Sequence, residues 1–222
     1  RVLQEMWNKY KEFNNDISLA PSTVSYNSLI DASSRSGSGK IAEGLLREMW
    51  RMHSVRPDFG IRPDTKTYSA TIAAWSRDKS QELGEAPKRA SRLLEEMWEL
   101  YDEKKDVTLA PNTVSYSCLL DAWARFAPSS EVAAREGERI LHDMWNRQSA
   151  HPELQVMPNQ ACIDIVLDAC EKCGQTGRGD KLVAKWKKRS RQYVLKQQAQ
   201  NQQQKQQEPQ PQQEEGKEEV KE

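Results

Sequence analysis

The chain has 222 residues, of which 36% are hydrophobic and 30% are charged, and its formal net charge is zero. That length allows a buried core in one or two domains, while the charge balance excludes a simple polycation that binds nucleic acid by bulk attraction. No run approaches the roughly 18 consecutive apolar residues of a membrane span, so the sequence predicts no transmembrane helix.

The sequence starts at Arg1, without an initiating Met and inside a pattern typical of a helix. We therefore interpret it as a fragment, in which any targeting peptide would be missing. Four cysteines are present, namely Cys118, Cys162, Cys170 and Cys173. They are too few and too dispersed for a secreted disulfide framework, which favours reduced thiols in an intracellular compartment.

The first predicted element is a helix over residues 1–15, which carries the motif Glu5-Met6-Trp7. The motif returns at Glu48-Met49-Trp50, Glu96-Met97-Trp98 and Asp143-Met144-Trp145. Around each later copy, apolar side chains follow helical spacing and mark one face of a helix. We call these predicted segments helix B, and we expect their Met–Trp pairs to form the core between repeats.

A second motif alternates with the first. The stretch APSTVSYNSLIDA at residues 20–32 returns as APNTVSYSCLLDA at residues 110–122. Its Pro recurs at intervals of 42, 48 and 47 residues, at Pro21, Pro63, Pro111 and Pro158. A good N-cap residue follows each Pro, and apolar residues then follow the i, i+3, i+4, i+7 spacing of a helix, called helix A. The four predicted caps are Ser22, Asp64, Asn112 and Asn159.

Two motifs with one period predict two helices per repeat. A single hairpin of this size cannot cover its own apolar face, so successive hairpins must stack. We therefore predict an all-α fold, a right-handed α-solenoid of stacked antiparallel helical hairpins. The predicted divisions are a partial repeat with only its second helix at residues 1–15, repeats at 16–62, 63–110 and 111–157, a degenerate repeat at 158–196, and a tail at 197–222.

The tail is rich in Gln and Glu and holds three Lys and six Glu, which leaves residues 1–196 with a net charge of +3. So few apolar side chains cannot compensate for the entropy lost on ordering, and we predict that the tail is disordered.

The stretch TVSYNSLIDASSRSG, followed by AEGLLREMW and a closing Pro-Asp, resembles a pentatricopeptide repeat. The resemblance covers about residues 1–196. It rests on the Tyr-(Asn/Ser)-x-(Leu/Ile) core of helix A, the Leu-x-x-Met of helix B and the terminal Pro-(Asp/Asn). These repeats are longer than the family's usual unit, so the sequence is identified as a long-repeat variant.

The resemblance implies sequence-specific binding of single-stranded RNA, one base per repeat, in a mitochondrion or plastid. RNA processing, stability or translation would be the outcome, with RNA-processing proteins as further partners. We expect no catalytic residue, cofactor, metal, membrane or small-molecule substrate.

In this family, base choice is attributed to the fifth residue of a repeat together with its last residue, which follows the next Pro. Carried onto this sequence, the base-reading pairs are Asn27 with Asp64, Ser69 with Asn112, and Ser117 with Asn159. The first pair is associated with uracil and the other two resemble adenine pairs. The resemblance therefore implies a short U-A-A core read from 5′ to 3′.

Two further sets of residues follow from the resemblance. The second position of each repeat would bracket the base, here Val24, Lys66 and Val114, although Lys66 breaks the aliphatic pattern. Basic residues near the end of helix A would contact phosphate, here Arg35, Arg77, Arg125 and Lys172.

Other recurring residues are expected to be structural. Asp31, Asp121 and Asp168 appear once per repeat, which does not suit a catalytic carboxylate pair. Cys170 and Cys173 form a CxxC without the second pair of a zinc ribbon, so we interpret them as helix-face residues.

Two other functions fit the same helical pattern. One is a tetratricopeptide-like scaffold that binds proteins in its groove, although such a groove needs neither the Tyr-(Asn/Ser) register nor the Pro-(Asp/Asn) terminus. The other is an accessory arm of an organellar RNA-processing nuclease, whose catalytic part would lie outside this chain.

Overall fold

The structure, a computed structural model, describes residues 2–78 and 84–207. Within these two ranges it consists of α-helices and short 3₁₀ helices and has no β-strand, as the sequence predicts. The α-helices are α1 (Val2–Glu12), α2 (Thr23–Ser36), α3 (Gly39–Val55), α4 (Thr65–Trp75), α5 (Glu85–Lys104), α6 (Thr113–Phe126), α7 (Ser130–Ala150), α8 (Gln160–Lys172) and α9 (Thr176–Gln207). One-turn 3₁₀ helices lie before α2, at Ile17–Leu19, and before α4, at Pro57–Phe59.

The chain divides into two compact units between Gly179 and Asp180. The first contains α1 to α8 and the start of α9. The second, as far as it is described, consists of the rest of α9.

The four A helices, α2, α4, α6 and α8, lie side by side in chain order within the first unit. Helix α4 contacts α2 before it and α6 after it, and α6 contacts α8. Each helix B packs between the A helix before it and the A helix after it, so that α3 contacts both α2 and α4, and α5 contacts both α4 and α6. Stacked hairpins of this kind form an α-solenoid, in which the A helices make one continuous row.

The predicted N-caps of the four A helices are confirmed. In each case the cap side chain accepts a hydrogen bond from the backbone N–H three residues later, which satisfies a donor that the helix leaves unpaired. In α2, α4 and α6 the residue at that position returns a side-chain bond to the backbone of the cap and completes a capping box. These residues are Ser25, Thr67 and Ser115, and the corresponding residue of α8 is Cys162.

The Thr that begins α4 and the Thr that begins α6 each tie one repeat to the next. Thr65 Oγ1 lies 2.8 and 2.9 Å from the carbonyl oxygens of Thr108 and Ala110, in the loop that leads to α6. Thr113 Oγ1 lies 3.0 Å from the carbonyl oxygens of both Gln155 and Met157, ahead of α8. Each Thr therefore fixes the loop that delivers the next cap residue.

The Met residues of the B helices form the core between repeats, since Met49, Met97 and Met144 have no solvent exposure. The Trp that follows Met49 and the Trp that follows Met97 each add a hydrogen bond that the sequence does not predict. Trp50 Nε1 donates to Tyr68 Oη at 2.9 Å, and Tyr68 Oη donates to Glu96 Oε1 at 2.5 Å. We call this the Trp–Tyr–acid relay. It recurs one repeat later, with the same two distances, through Trp98, Tyr116 and Asp143.

A close contact at the start of α3 requires glycine. A Cβ on Gly39 would lie 2.5 Å from the indole ring of Trp75, at the end of α4. The Gly39 N–H donates to Asp78 Oδ2 at 2.8 Å, so the beginning of α3 is fastened to the following repeat. Gly44, on the same helix, would meet nothing within 4 Å if it carried a Cβ.

The last helix is longer than predicted. Helix α9 continues through Gln207, beyond the expected end at residue 196, so the first part of the predicted tail is helical. Gln is a good helix former, and a run of Gln that follows a helix can extend it without burying apolar surface. The rest of the predicted disordered tail, residues 208–222, lies outside the described residues. In the parts of the chain that the structure describes, no helix is long and apolar enough to cross a bilayer.

Candidate functional site

The second and fifth residues of a helix A lie on the same face, because residues three apart are neighbours on an α-helix. In α2 these residues are Val24, which is 73% exposed, and the half-buried Asn27. In α6 they are Val114, which is 56% exposed, and the half-buried Ser117. An exposed aliphatic side chain next to a partly exposed polar one is thus present at two places along the row of A helices. Such a face can cover a flat apolar ring and also meet its polar edge.

The second repeat departs from this arrangement. In α4 the two positions are occupied by Lys66, which is exposed, and by Ser69, which is only 7% exposed. Ser69 is therefore a recessed hydroxyl, and a ligand must come close to the helix surface to reach it.

At the first junction between repeats, the structure brings together the two residues predicted to pair. Thr67 Oγ1 lies 2.7 Å from Asn27 Oδ1 and 2.9 Å from Asp64 Oδ1. The hydroxyl carries one proton, so it donates to one of these two oxygens at a time. With its oxygen facing Thr67, Asn27 keeps its amide N–H groups for other acceptors. Thr67, which completes the capping box of α4, thus links the fifth residue of the first repeat, Asn27, to the last residue of that repeat, Asp64.

The second junction has the same organisation. Ser69 Oγ lies 2.8 Å from Ser115 Oγ, and Ser115 Oγ donates to Asn112 Oδ1 at 3.3 Å. A carbonyl oxygen can only accept, so Ser115 is the donor in its bond to Asn112, and when it donates there the Ser69 hydroxyl donates to Ser115 Oγ. This direction leaves a lone pair on Ser69 Oγ as an acceptor.

The third junction is different. Asn159 caps α8 by accepting from the Cys162 N–H at 3.0 Å, and it is exposed. Ser117 Oγ donates instead to the carbonyl oxygen of Val114 in its own helix, at 2.9 Å. A thiol occupies the position that a hydroxyl holds at the first two junctions. The predicted pair of Ser117 and Asn159 therefore lacks the link seen in the other two pairs.

Three of the four predicted phosphate contacts are exposed cations paired with an aspartate four residues earlier. Arg125 Nε lies 2.7 Å from Asp121, and Lys172 Nζ lies 2.6 Å from Asp168. Arg35 pairs with Asp31 in the same way. Each recurring aspartate thus offsets part of the positive charge at this register. Exposed pairs of this kind contribute little to stability and can exchange partners.

Arg77, the remaining predicted phosphate contact, follows another pattern. Ala73 occupies the register of the aspartates in α4, and Arg77 lies just past the end of that helix. Its Nη1 donates to Ser34 Oγ of the preceding repeat at 2.7 Å, although the residue as a whole is exposed. A cation bonded to a neutral hydroxyl keeps its full charge for an anion.

The family model described as PPR repeat matches residues 24–53. The matched stretch covers most of α2 and α3, which is the first complete hairpin and contains the Val24–Asn27 face. Residues 24–53 are thus a pentatricopeptide repeat, the unit of a family of helical-repeat RNA-binding proteins. No curated protein matches the chain.

The hydroxyls that link the paired residues are the part of the site that the sequence alone does not identify. Their signal is present in the repeat, because Ser25, Thr67, Ser115 and Cys162 all lie three residues after a cap. Spacing alone assigns them to the capping box. Only the packing of neighbouring A helices shows that Thr67 and Ser115 also reach the fifth residue of the repeat before them.

The four cysteines of the chain are free thiols. Burial raises the pKa of Cys118 to about 11, and burial is also the main cause of the raised pKa of Cys162 and of Cys170. Thiols with raised pKa values are weak nucleophiles. Among the described residues, no group of three or more His, Cys, Asp or Glu side chains is arranged to hold a metal ion.

Proposed function

We propose that this protein binds single-stranded RNA along its row of A helices, one base per repeat, and acts in RNA processing, stability or translation in a mitochondrion or plastid. The observation that supports this most strongly is the face formed by the second and fifth residues of α2 and α6. Val24 and Val114 are large apolar side chains left exposed at one register, each beside a polar side chain. A nucleobase has the matching chemistry, with an apolar flat surface and a polar edge. Single strands offer that edge freely, whereas an RNA duplex hides it.

The hydrogen-bonding groups suggest which bases fit. At the first junction Asn27 presents amide N–H donors beside the carboxylate of Asp64, which suits uracil, whose edge carries carbonyl acceptors and one N–H donor. At the second junction the lone pair of Ser69 Oγ suits the amino group of adenine. These assignments agree with the pairs that the family resemblance implies, so we propose U followed by A for the first two repeats and a second A for the third.

Electrostatic attraction to the RNA backbone should be moderate. Residues 1–196 carry a net charge of only +3, and three of the four cations at the phosphate register are paired with aspartates. We therefore propose that base contacts supply a large share of the affinity and that Arg77 binds phosphate most strongly of the four cations. Each cation that neutralises a phosphate of a single strand adds about 0.7 to the slope of log affinity against log salt.

The direct test is selection from a pool of random single-stranded RNA by the purified chain, with single-stranded DNA and duplex RNA of the same length as controls. We expect enrichment of U-A-A and weaker binding of both controls. Equal binding of every single strand would leave only electrostatic attachment. Failure to bind RNA at low salt would favour the protein-binding scaffold.

A sharper test changes the base preference itself. The double variant Ser117→Asn with Asn159→Asp gives the third repeat the residues of the first. We expect its preference to move from A toward U, by about 1 to 3 kcal/mol for a well-formed pair. An unchanged preference at that position would contradict the assignment of these two residues.

A further inference from the structure

We propose that Thr67 and Ser115 are positioning residues for base reading, each orienting the fifth-position side chain of the repeat before it through a hydrogen bond to its hydroxyl. The inference rests on the proposed function and names residues outside the pairs to which base choice is attributed. Both residues are buried, so they act through their neighbours and do not touch a base themselves.

Thr67 determines which end of the Asn27 amide faces the ligand. Its hydroxyl lies 2.7 Å from the amide oxygen of Asn27, and when it donates to this oxygen and not to Asp64 Oδ1, the oxygen is held toward α4 and the amide nitrogen points to the other side. Without the hydroxyl the amide can turn over, and it would then offer an acceptor where it had offered a donor. Uracil presents a carbonyl acceptor where cytosine presents an amino donor, so rotation of this amide weakens the discrimination between the two pyrimidines.

Ser115 acts on Ser69 by fixing the direction of a proton. Ser115 Oγ accepts from the Asn112 backbone N–H and donates to Asn112 Oδ1, both at 3.3 Å. When the proton of Ser115 lies in that bond, the Ser69 hydroxyl donates to Ser115 Oγ. In that arrangement the proton of Ser69 is used in the bond to Ser115, so Ser69 Oγ can only accept from a ligand, and we propose that it accepts from adenine. Without Ser115 the Ser69 hydroxyl can rotate and act as either donor or acceptor.

The third junction provides a natural contrast. Cys162 occupies the register of Thr67 and Ser115, and Ser117 bonds to its own helix. The third repeat is therefore expected to choose its base less strictly than the first two. The substitution Cys162→Ser places a hydroxyl at that register in a buried site of nearly the same volume, and it should sharpen the choice.

Ser25 supplies a matched control. It completes the capping box of α2 with Ser22, as Thr67 does for α4 with Asp64. No fifth-position residue of a predicted repeat comes before it in this chain. The change Ser25→Ala therefore removes the same kind of cap bond as Thr67→Val or Ser115→Ala, without the proposed effect on base choice.

The experiment is random-pool RNA selection with the full chain and its variants, together with thermal unfolding of each variant. Thr67→Val should reduce the preference at the first repeat's base by at least about fivefold, and Ser115→Ala should do the same at the second base. Thr67→Ser, which keeps the hydroxyl, should retain the wild-type preference. Ser25→Ala should change no base preference, and Cys162→Ser should raise the preference at the third base.

The possible outcomes distinguish a failure of this inference from a failure of the proposed function. A wild-type chain that selects no base would overturn the proposed function, and this inference with it. A wild-type chain whose base preferences survive Thr67→Val and Ser115→Ala, as they survive Ser25→Ala, would overturn the inference alone. Loss of preference in Thr67→Ser as well would show that packing at this position matters and the hydroxyl does not.

Discussion

Removal of the Tyr68 hydroxyl tests whether the Trp–Tyr–acid relay holds successive repeats together. Tyr68 is fully buried, and its hydroxyl joins Trp50 of the preceding helix B to Glu96 of the following one. The substitution Tyr68→Phe keeps the ring and its packing. It deletes one hydrogen bond to a charged acceptor and leaves the Trp50 N–H without its acceptor.

The expected loss in the free energy of unfolding follows from these two bonds. A hydrogen bond to a charged group contributes about 1.5 to 3 kcal/mol, and an unsatisfied buried donor costs about 1 to 3 kcal/mol. Glu96 keeps a second partner, Arg47, at 2.6 Å, which limits the penalty on its side. We therefore expect a loss of about 2 to 3 kcal/mol.

The assay is urea unfolding followed by far-ultraviolet circular dichroism, because fluorescence would be disturbed by the change beside Trp50. Tyr101→Phe is the matched control, since Tyr101 donates to Glu153 at 2.9 Å but that carboxylate is 52% exposed. Water can replace this bond, so the control should lose less than about 1 kcal/mol. If Tyr68→Phe is no more destabilised than Tyr101→Phe at unchanged m-value, the relay does not join the repeats energetically.

Three further predictions concern other parts of the structure. Gly39→Ala should destabilise the chain by about 1 to 3 kcal/mol in urea unfolding, because the added Cβ would overlap the indole ring of Trp75. Gly44→Ala, on the same helix, should stabilise the chain by up to about 1 kcal/mol, because its Cβ would meet nothing within 4 Å. Similar effects of the two changes would contradict this packing. Burial raises the pKa values of Tyr68 and Tyr116 above those of unfolded tyrosine, so the unfolded chain loses these protons first, and stability measured against pH should fall above about pH 10. The double variant with Phe at both positions should lose less stability as the pH rises above about 10. An unchanged loss would exclude these tyrosines as its cause. Arg77→Ala should lower the slope of log affinity against log salt for single-stranded RNA by about 0.7 while leaving base preference intact, and a changed preference would contradict a purely phosphate role.

The sequence predicted the helices well because their signals are local. The residue after each repeated Pro is a capping residue, and the apolar positions that follow have the spacing of one helical face, so α2, α4, α6 and α8 begin where expected. The end of α9 could not be found in this way. A run of Gln satisfies helix propensity but shows no apolar period, so the sequence contains no signal for where that helix ends.

The sequence names the registers of the candidate site, and the structure adds how exposed each residue is. The registers of Val24, Asn27 and Ser117 are exposed or half-buried on the A helices, as a surface that meets a ligand requires. The burial of Ser69 was not predicted, although it occupies the same register as Asn27. Its hydroxyl lies 2.8 Å from that of another short residue, Ser115, across the junction between α4 and α6.

What the sequence determined by itself is the repeat: two helices per unit, their caps, their buried faces and the registers that recur. These properties depend on residues a few positions apart, and such spacing can be read along the chain. What only the tertiary structure decided is which registers touch. Asn27 meets Thr67, 40 residues away, and Ser69 meets Ser115, 46 residues away, because the A helices pack directly against one another. Because the loops between repeats vary in length, no fixed sequence spacing relates the residues that touch. The links between the paired residues are therefore seen only when the hairpins are stacked.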